Sequence, residues 1–229
     1  NQPALTTRQA GQTLLDASLL RASAVYVRSL IESMVSRKAV AALLPPSAAS
    51  HRVMGVKLTL HRAGQPWRTS LRYASISQWE LDHSLGYLLG YLAGKIVSAS
   101  PEHSALQESD LAYLGLTLSI LYDARVVHEQ YEDRLQVVDP LTHGLVVEHP
   151  AGSTVVLPDT QAEQTLDASR YLDHACRQAG LHCDAWRRDP QTKLMTFRIQ
   201  EIELEPQLAE PTFLSLNGLR INRLHIIAT

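Results

Sequence analysis

Residues 53–61 and 66–74 alternate apolar and polar side chains, and Ala63-Gly64-Gln65 breaks the two runs. A period of two sends successive side chains to opposite faces, so each run specifies a strand and the pair a hairpin. Val56, Leu58 and Leu60 take one face of the first strand, against Gly55, Lys57 and Thr59. In the second, Trp67, Thr69, Leu71 and Tyr73 point one way, and Arg68, Ser70 and Arg72 the other. The hairpin is expected to be half buried. The same rhythm returns at Leu114–Tyr122, at Leu145–Glu148 and Thr154–Leu157, and at Met195, Phe197 and Ile199. A last hairpin is expected at Leu214–Leu216 and Leu219–Ile221, joined by Asn217-Gly218, the pair that type I′ turns favour.

Helical patterns interrupt these strands. Thr6-Thr7-Arg8-Gln9 reads as a capping box. Leu15, Leu19, Ala22, Tyr26, Leu30 and Met34 follow as one apolar stripe at spacings of three and four, and Pro45-Pro46 is expected to end that helix. Ser77 and Glu80 form a second capping box before a helix through Ile96. Gly86, Gly90 and Gly94 lie four apart on it and predict close approach of another backbone. Thr160 and Glu163 open a third helix, which carries Leu166, Leu172, Cys176 and Ala179 inward and stops at Gly180. Residues 98–109 are expected to be irregular. Helices and antiparallel strands mix without a βαβ rhythm, so the class is α+β.

Composition removes several function classes. Lys and Arg total 21 and Asp and Glu 23, a net charge of −2, which argues against a dedicated nucleic-acid binder. Two cysteines, Cys176 and Cys183, make no disulfide framework and point to a reducing, cytoplasmic setting. Leu85–Val97, the best membrane candidate, falls short of the ~20 apolar residues a span needs. Four lysines against seventeen arginines point to a GC-rich bacterial genome. The start, Asn1-Gln2-Pro3, has no signal-peptide pattern.

No phosphate-loop, dinucleotide, zinc-protease or nucleophile-elbow motif occurs. The ten histidines are scattered: His51 and His61 flank one strand, His143 and His149 another. No metal or cofactor is expected from them. Arg68, Ser70 and Arg72 are the most informative polar group. Two guanidiniums on one strand face can fork a carboxylate or phosphate, with Ser70 as a donor between them; the plainer reading is a solvated outer face. Cys176 reads as a buried, inert thiol and Asp159 as a helix-start charge.

Ordered blocks then resemble the AMMECR-type domain family. Gly55-Val56-Lys57-Leu58-Thr59-Leu60 is similar to the family's G-V-F-V-T-L, and Leu116–Leu121 to its V-S-V-L strand. His143-Gly144-Leu145 and Val156-Leu157-Pro158 are similar to H-G-L and L-L-P. Tyr171-Leu172, Cys176–Leu181 and Trp186 resemble F-L-x-x-x-C-x-K-A-G-L followed by Trp. The family signature L-R-G-C-I-G falls on Trp67–Arg72, where Arg68 keeps the arginine, Ser70 replaces the cysteine, and Thr69 and Arg72 replace the glycines. The D-P-R-F-P-P stretch has no counterpart in Ser98–Ala105.

The resemblance implies a two-lobed α+β fold with mostly antiparallel sheets, flanking helices and a cleft between the lobes. The expected organisation is a domain over 1–211, with 212–229 as a hairpin extension. It also implies association with Memo-like or radical-SAM proteins, and supplies no established reaction. Two readings follow. One is an accessory subunit working with other proteins. The other is an enzyme or small-molecule binder, with an anion-accepting cleft at Arg68, Ser70 and Arg72 and Ser70 as its weak catalytic candidate. A serine there needs an adjacent base.

Overall fold

A computed structural model of the chain describes residues 14–76, 84–98, 105–128, 131–158, 167–208, 213–216 and 219–222. The strands that alternation predicts pair into one six-stranded antiparallel sheet. In chain order they are β1 (Gly55–Arg62), β2 (Gln65–Tyr73), β3 (Leu114–Val127), β4 (Gly144–His149), β5 (Gly152–Val156) and β6 (Lys193–Leu204). Their order across the sheet is β2-β1-β3-β6-β4-β5. Strands β7 (Phe213–Leu216) and β8 (Leu219–Asn222) pair separately, and the Asn217-Gly218 turn lies outside the described residues.

Register explains the layering. Val56, Leu58 and Leu60 stand opposite Ile120, Leu118 and Leu116 on β3. Their shared face is covered by α1 (Ala17–Ser36) and α3 (Leu85–Val97), forming one apolar core. On β4–β6, Leu145, Val147, Val156 and Leu194 pack under α6 (Ala168–Gln178) and α7 (Ala185–Arg188) in a second. Both sets of helices lie on the outer face of the sheet. The sheet curls, so that Leu71 and Tyr73 of edge strand β2 join Val146, Val155, Met195, Phe197 and Ile199 in a third, inner core. The Ile76 amide donates to Glu148 Oε1 at 2.6 Å, tying the chain beyond β2 to β4. Burial, and then the Glu148 charge, push the Tyr73 phenol above its ordinary pKa, while a hydrogen bond with Ser153 of β5 opposes them.

Two local features hold the curl. β3 carries an extra residue between Tyr122 and Arg125, with Asp123 at a φ of 52°. This bulge turns Val127 to the outer face, where Leu121 had pointed inward. Gly144 stands opposite Phe197, and a Cβ there would overlap the Phe197 ring. No larger residue fits that position without displacing the inner core.

The helices depart from the sequence reading in instructive ways. The Thr6–Gln9 box lies outside the described residues, as do Ser77–Glu80 and Asp159–Glu163. The caps observed are Asp16, whose carboxylate accepts the Leu19 amide at 2.8 Å, Ser84 and Asp167. α1 ends at Ser36 with Arg37 at a φ of 57°, well before the prolines. Pro46 instead occupies the first turn of α2 (Pro46–Ala49), where its missing amide costs nothing. The face α1 buries is Leu20, Ala24, Val27 and Ile31, one position beyond the expected stripe, while Met34 is exposed. Both stripes are apolar, and the buried one includes the small residues Ser23 and Ala24. Within 98–109 the chain enters a short helix, α4 (Glu108–Leu111), capped by Gln107 and Asp110. A last turn, α5 (Arg134–Val137), docks through Arg134, whose guanidinium donates to the Trp186 and Thr192 carbonyls. Among the described residues, no helix is long and apolar enough to cross a membrane.

Candidate functional site

A bulge sets the polar side chains of β2. Leu60 faces Arg68 and His61 faces Pro66, leaving Trp67 unmatched. The extra residue brings Trp67 round to pack against the α1–α3 core, although strict alternation sent it the other way. Arg68, Ser70 and Arg72 stand opposite Leu60, Leu58 and Val56, so the stripe lies on the helix-covered face. It is not the outer solvent face of a free hairpin.

The three residues differ in what they touch. Arg68 is 7% exposed, and its Nη1 donates to the Ile96 carbonyl in the last turn of α3 at 2.7 Å. A cation there satisfies a carbonyl with no helical partner and meets the negative end of the helix dipole. Its guanidinium also lies 4.6 Å from the Trp67 ring centre. Burial pulls its pKa down, and Asp110 partly opposes this. Ser70 is half buried, and among the described residues its hydroxyl makes no hydrogen bond, to a base or otherwise. Arg72 is exposed, with its guanidinium 5.5 Å from the Tyr91 ring centre.

Arg72 and α3 together form a cationic, aromatic ledge. Lys95 Nζ lies 5.7 Å from the same Tyr91 ring, and Tyr87 stacks on Tyr91 at 6.3 Å with 59% of its surface exposed. Tyr87, Tyr91 and Lys95 recur at intervals of four along the open side of the helix, which is why they line up. Among the described residues, neither Arg72 nor Lys95 has an ion-pair partner. The glycine row splits: a Cβ on Gly86 would come 3.2 Å from the Ala49 carbonyl, whereas Gly90 and Gly94 face open space. Close packing therefore accounts for Gly86 alone. The other two leave the ledge flat beside its tyrosines.

The inner face of the sheet carries a polar group that strand-by-strand reading misses. Across β2, β1, β3 and β6 the register aligns Thr69, Thr59, Thr117 and Glu203, then Leu71, Lys57, Ser119 and Glu201. Each strand alternates unremarkably; only pairing brings these residues together. The signal available in the sequence was the polar half of each alternation.

The remaining candidates do not assemble. Cys176 is buried on the core-facing side of α6, and burial pushes its thiol up to about 11. His182 Nδ1 lies 3.9 Å from Cys183 Sγ and also hydrogen-bonds Asp184. One ring nitrogen cannot accept a proton from the thiol while donating to the carboxylate, so the trio is no proton relay. His149 Nε2 lies 3.2 Å from an Asp189 carboxylate oxygen without making a hydrogen bond, and His143 Nδ1 accepts the Asp139 amide at 3.2 Å. Among the described residues, no group of three or more His, Cys, Asp or Glu side chains is arranged to hold a metal.

Comparison with known proteins gives the family and the fold. The AMMECR1 family model matches residues 26–202. A protein of Pyrobaculum islandicum is 29% identical over 141 residues, covering 58% of this chain and 63% of the relative. The chain thus spans about three-fifths of the length of that relative. A protein of Thermococcus kodakarensis is 27% identical over 190 residues, covering 78% and 86%. The crystal structure of an uncharacterized protein of Pyrococcus horikoshii superimposes with a TM-score of 0.61 at 21% identity, covering 83% of this chain and 92% of that one. At that identity the likeness concerns the fold. These sources are archaeal, so they lend nothing to the bacterial origin that arginine usage pointed to.

Proposed function

The chain belongs to the AMMECR1 family, and from that premise we propose that it is a non-catalytic accessory subunit which docks an acidic segment of a partner protein. The ledge of Arg72, Tyr91 and Lys95 is the proposed docking site. The observation that carries this reading is the pair of cations within 6 Å of one tyrosine ring, neither with a carboxylate partner among the described residues. Each cation gains about 0.5–1 kcal/mol from the ring, but the two repel one another. An incoming carboxylate relieves that repulsion and completes both charges. The exposed Tyr87 and the open glycines offer flat contact area at little entropic cost, as interface tyrosines do.

Memo-like and radical-SAM proteins, the partner classes the resemblance implies, are the first candidates, and the cytoplasm is the proposed setting. Residues 212–229, read as an extension of the 1–211 domain, would add to the same interface. The alternative, a small-molecule site or enzyme at Arg68, Ser70 and Arg72, is weaker. Arg68 is engaged with the Ile96 carbonyl, and among the described residues Ser70 has no hydrogen-bonded base of the kind a nucleophile needs.

Native mass spectrometry of the protein, purified gently from its source, tests the reading. A stable complex with a second protein chain is the expected result. Bound mass of small-molecule size alone, or a bare monomer, would overturn it.

A further inference from the structure

We infer that the inner face of the curled sheet carries a second binding site, for the oxyanion group of a small molecule, built on Lys57. This site is independent of the ledge, which lies on the outer face.

Lys57 sits centrally in β1, with Leu71 opposite it on β2 and Ser119 on β3. It is half buried at the border of the inner apolar core, beside Leu71. Among the described residues its ammonium makes no hydrogen bond and no ion pair. The carboxylate in its row, on Glu201, belongs to β6, two strands away or roughly 10 Å by strand spacing. That carboxylate accepts the Ser119 hydroxyl at 2.5 Å instead. A cation partly withdrawn from water, against an apolar wall and with no bonded counter-charge among the described residues, is an unbalanced arrangement that an anion corrects.

The neighbouring hydroxyls supply donors for that anion. Thr59 and Thr69 share one hydrogen bond at 3.2 Å, and Thr59 is 5% exposed. When one hydroxyl donates to the other, the second keeps its own hydrogen free for an acceptor. Thr117 in the same row hydrogen-bonds His61 Nε2 at 2.8 Å, which fixes the next position along the face. One ammonium and one free hydroxyl, one row apart on paired strands, match an oxyanion, a carboxylate or a phosphate. The apolar core residues Leu71 and Tyr73 beside them offer a wall for the rest of such a molecule.

The chain has only four lysines, at 38, 57, 95 and 193, so each can be watched separately. Reductive methylation with carbon-13 keeps the ammonium charged and gives each lysine its own resonance. Lys57→Arg assigns the signal of interest. Inorganic phosphate and, separately, acetate are titrated at constant ionic strength against chloride. The expected result is a saturable shift of the Lys57 resonance with at least one of them, weakened five-fold or more when both hydroxyls are removed in the Thr59→Val, Thr69→Val double variant. Lys38, already paired with Glu108 at 2.5 Å, serves as the reference. A preference for phosphate over acetate, or the reverse, tells which oxyanion the site takes. A Lys57 shift no larger than that of Lys38, or one that never saturates, overturns the site. A response at Lys95 with none at Lys57 also overturns it, and leaves the ledge standing.

Discussion

Truncating Phe197 to alanine is expected to cost about 3–5 kcal/mol, the range for buried aromatic deletions. Net stabilities of such chains are only about 5–15 kcal/mol, so this single change removes a large share. At roughly 2–4 °C per kcal/mol for a chain of this size, the melting temperature should fall by about 6–20 °C. Phe197 is fully buried in the inner core, where residues of β2, β3, β4, β5 and β6 meet. Its ring also lies over Gly144, so no side chain stands there to fill the hole. Because both helix-covered halves share this core, the variant should still unfold in one transition. A melting curve within 2 °C of the parent, or a split into two transitions, would show that the inner core does not join the halves.

Replacing Arg68 by methionine is expected to destabilise the chain by roughly 1.5–3 kcal/mol, the scale for losing a hydrogen bond to a charged group. Methionine keeps much of the apolar stem that packs beside Trp67, so the loss reports the guanidinium. The Ile96 carbonyl would lose its partner, and amide exchange in the last turn of α3 should quicken before the rest of the sheet responds. Arg72→Ala, two residues along, should stay within about 0.5 kcal/mol of the parent, as exposed substitutions do. Equal effects at the two arginines would contradict the separate roles that their burial assigns.

The strands were readable because alternation is a local property, and the sheet preserved it almost residue for residue in β1 and the outer half of β3. What alternation could not reveal was pairing. Arg68, Ser70 and Arg72 were visible as a stripe, but the helix that covers them lies some 15–30 residues away in sequence. Trp67 changed sides because a bulge inserts one residue, and no turn residue announces it. The first helix shows the same limit: two adjacent apolar stripes run along it, and only the sheet decides which is buried. The described helices are capped by Asp16, Ser84 and Asp167, later in the chain than the capping patterns, which lie outside the described residues.

The site followed the same logic. Tyr87, Tyr91 and Lys95 were not singled out in the sequence, and nothing local marks Arg72 as their neighbour. Lys57, Thr59 and Ser119 read as the solvent half of ordinary strands. The glycine row at 86, 90 and 94 was conspicuous, yet the reason for it holds only at Gly86, where Ala49 of α2 approaches. Each of these groupings is made by register or by packing between elements distant in the chain. The family blocks were easier to see, since they are contiguous, and they foretold the α+β fold.

The account turns on whether the ledge receives an acidic partner. The direct measurement is to purify the Arg72→Glu, Lys95→Glu double variant beside the parent and weigh both natively after the same gentle preparation. Neither residue is in a buried core, so the variant should melt within a few degrees of the parent. The account predicts that the parent retains its partner chain, less firmly as salt rises, and that the variant has lost it. A folded variant that keeps the same partner would contradict the claim that the ledge is where the partner binds.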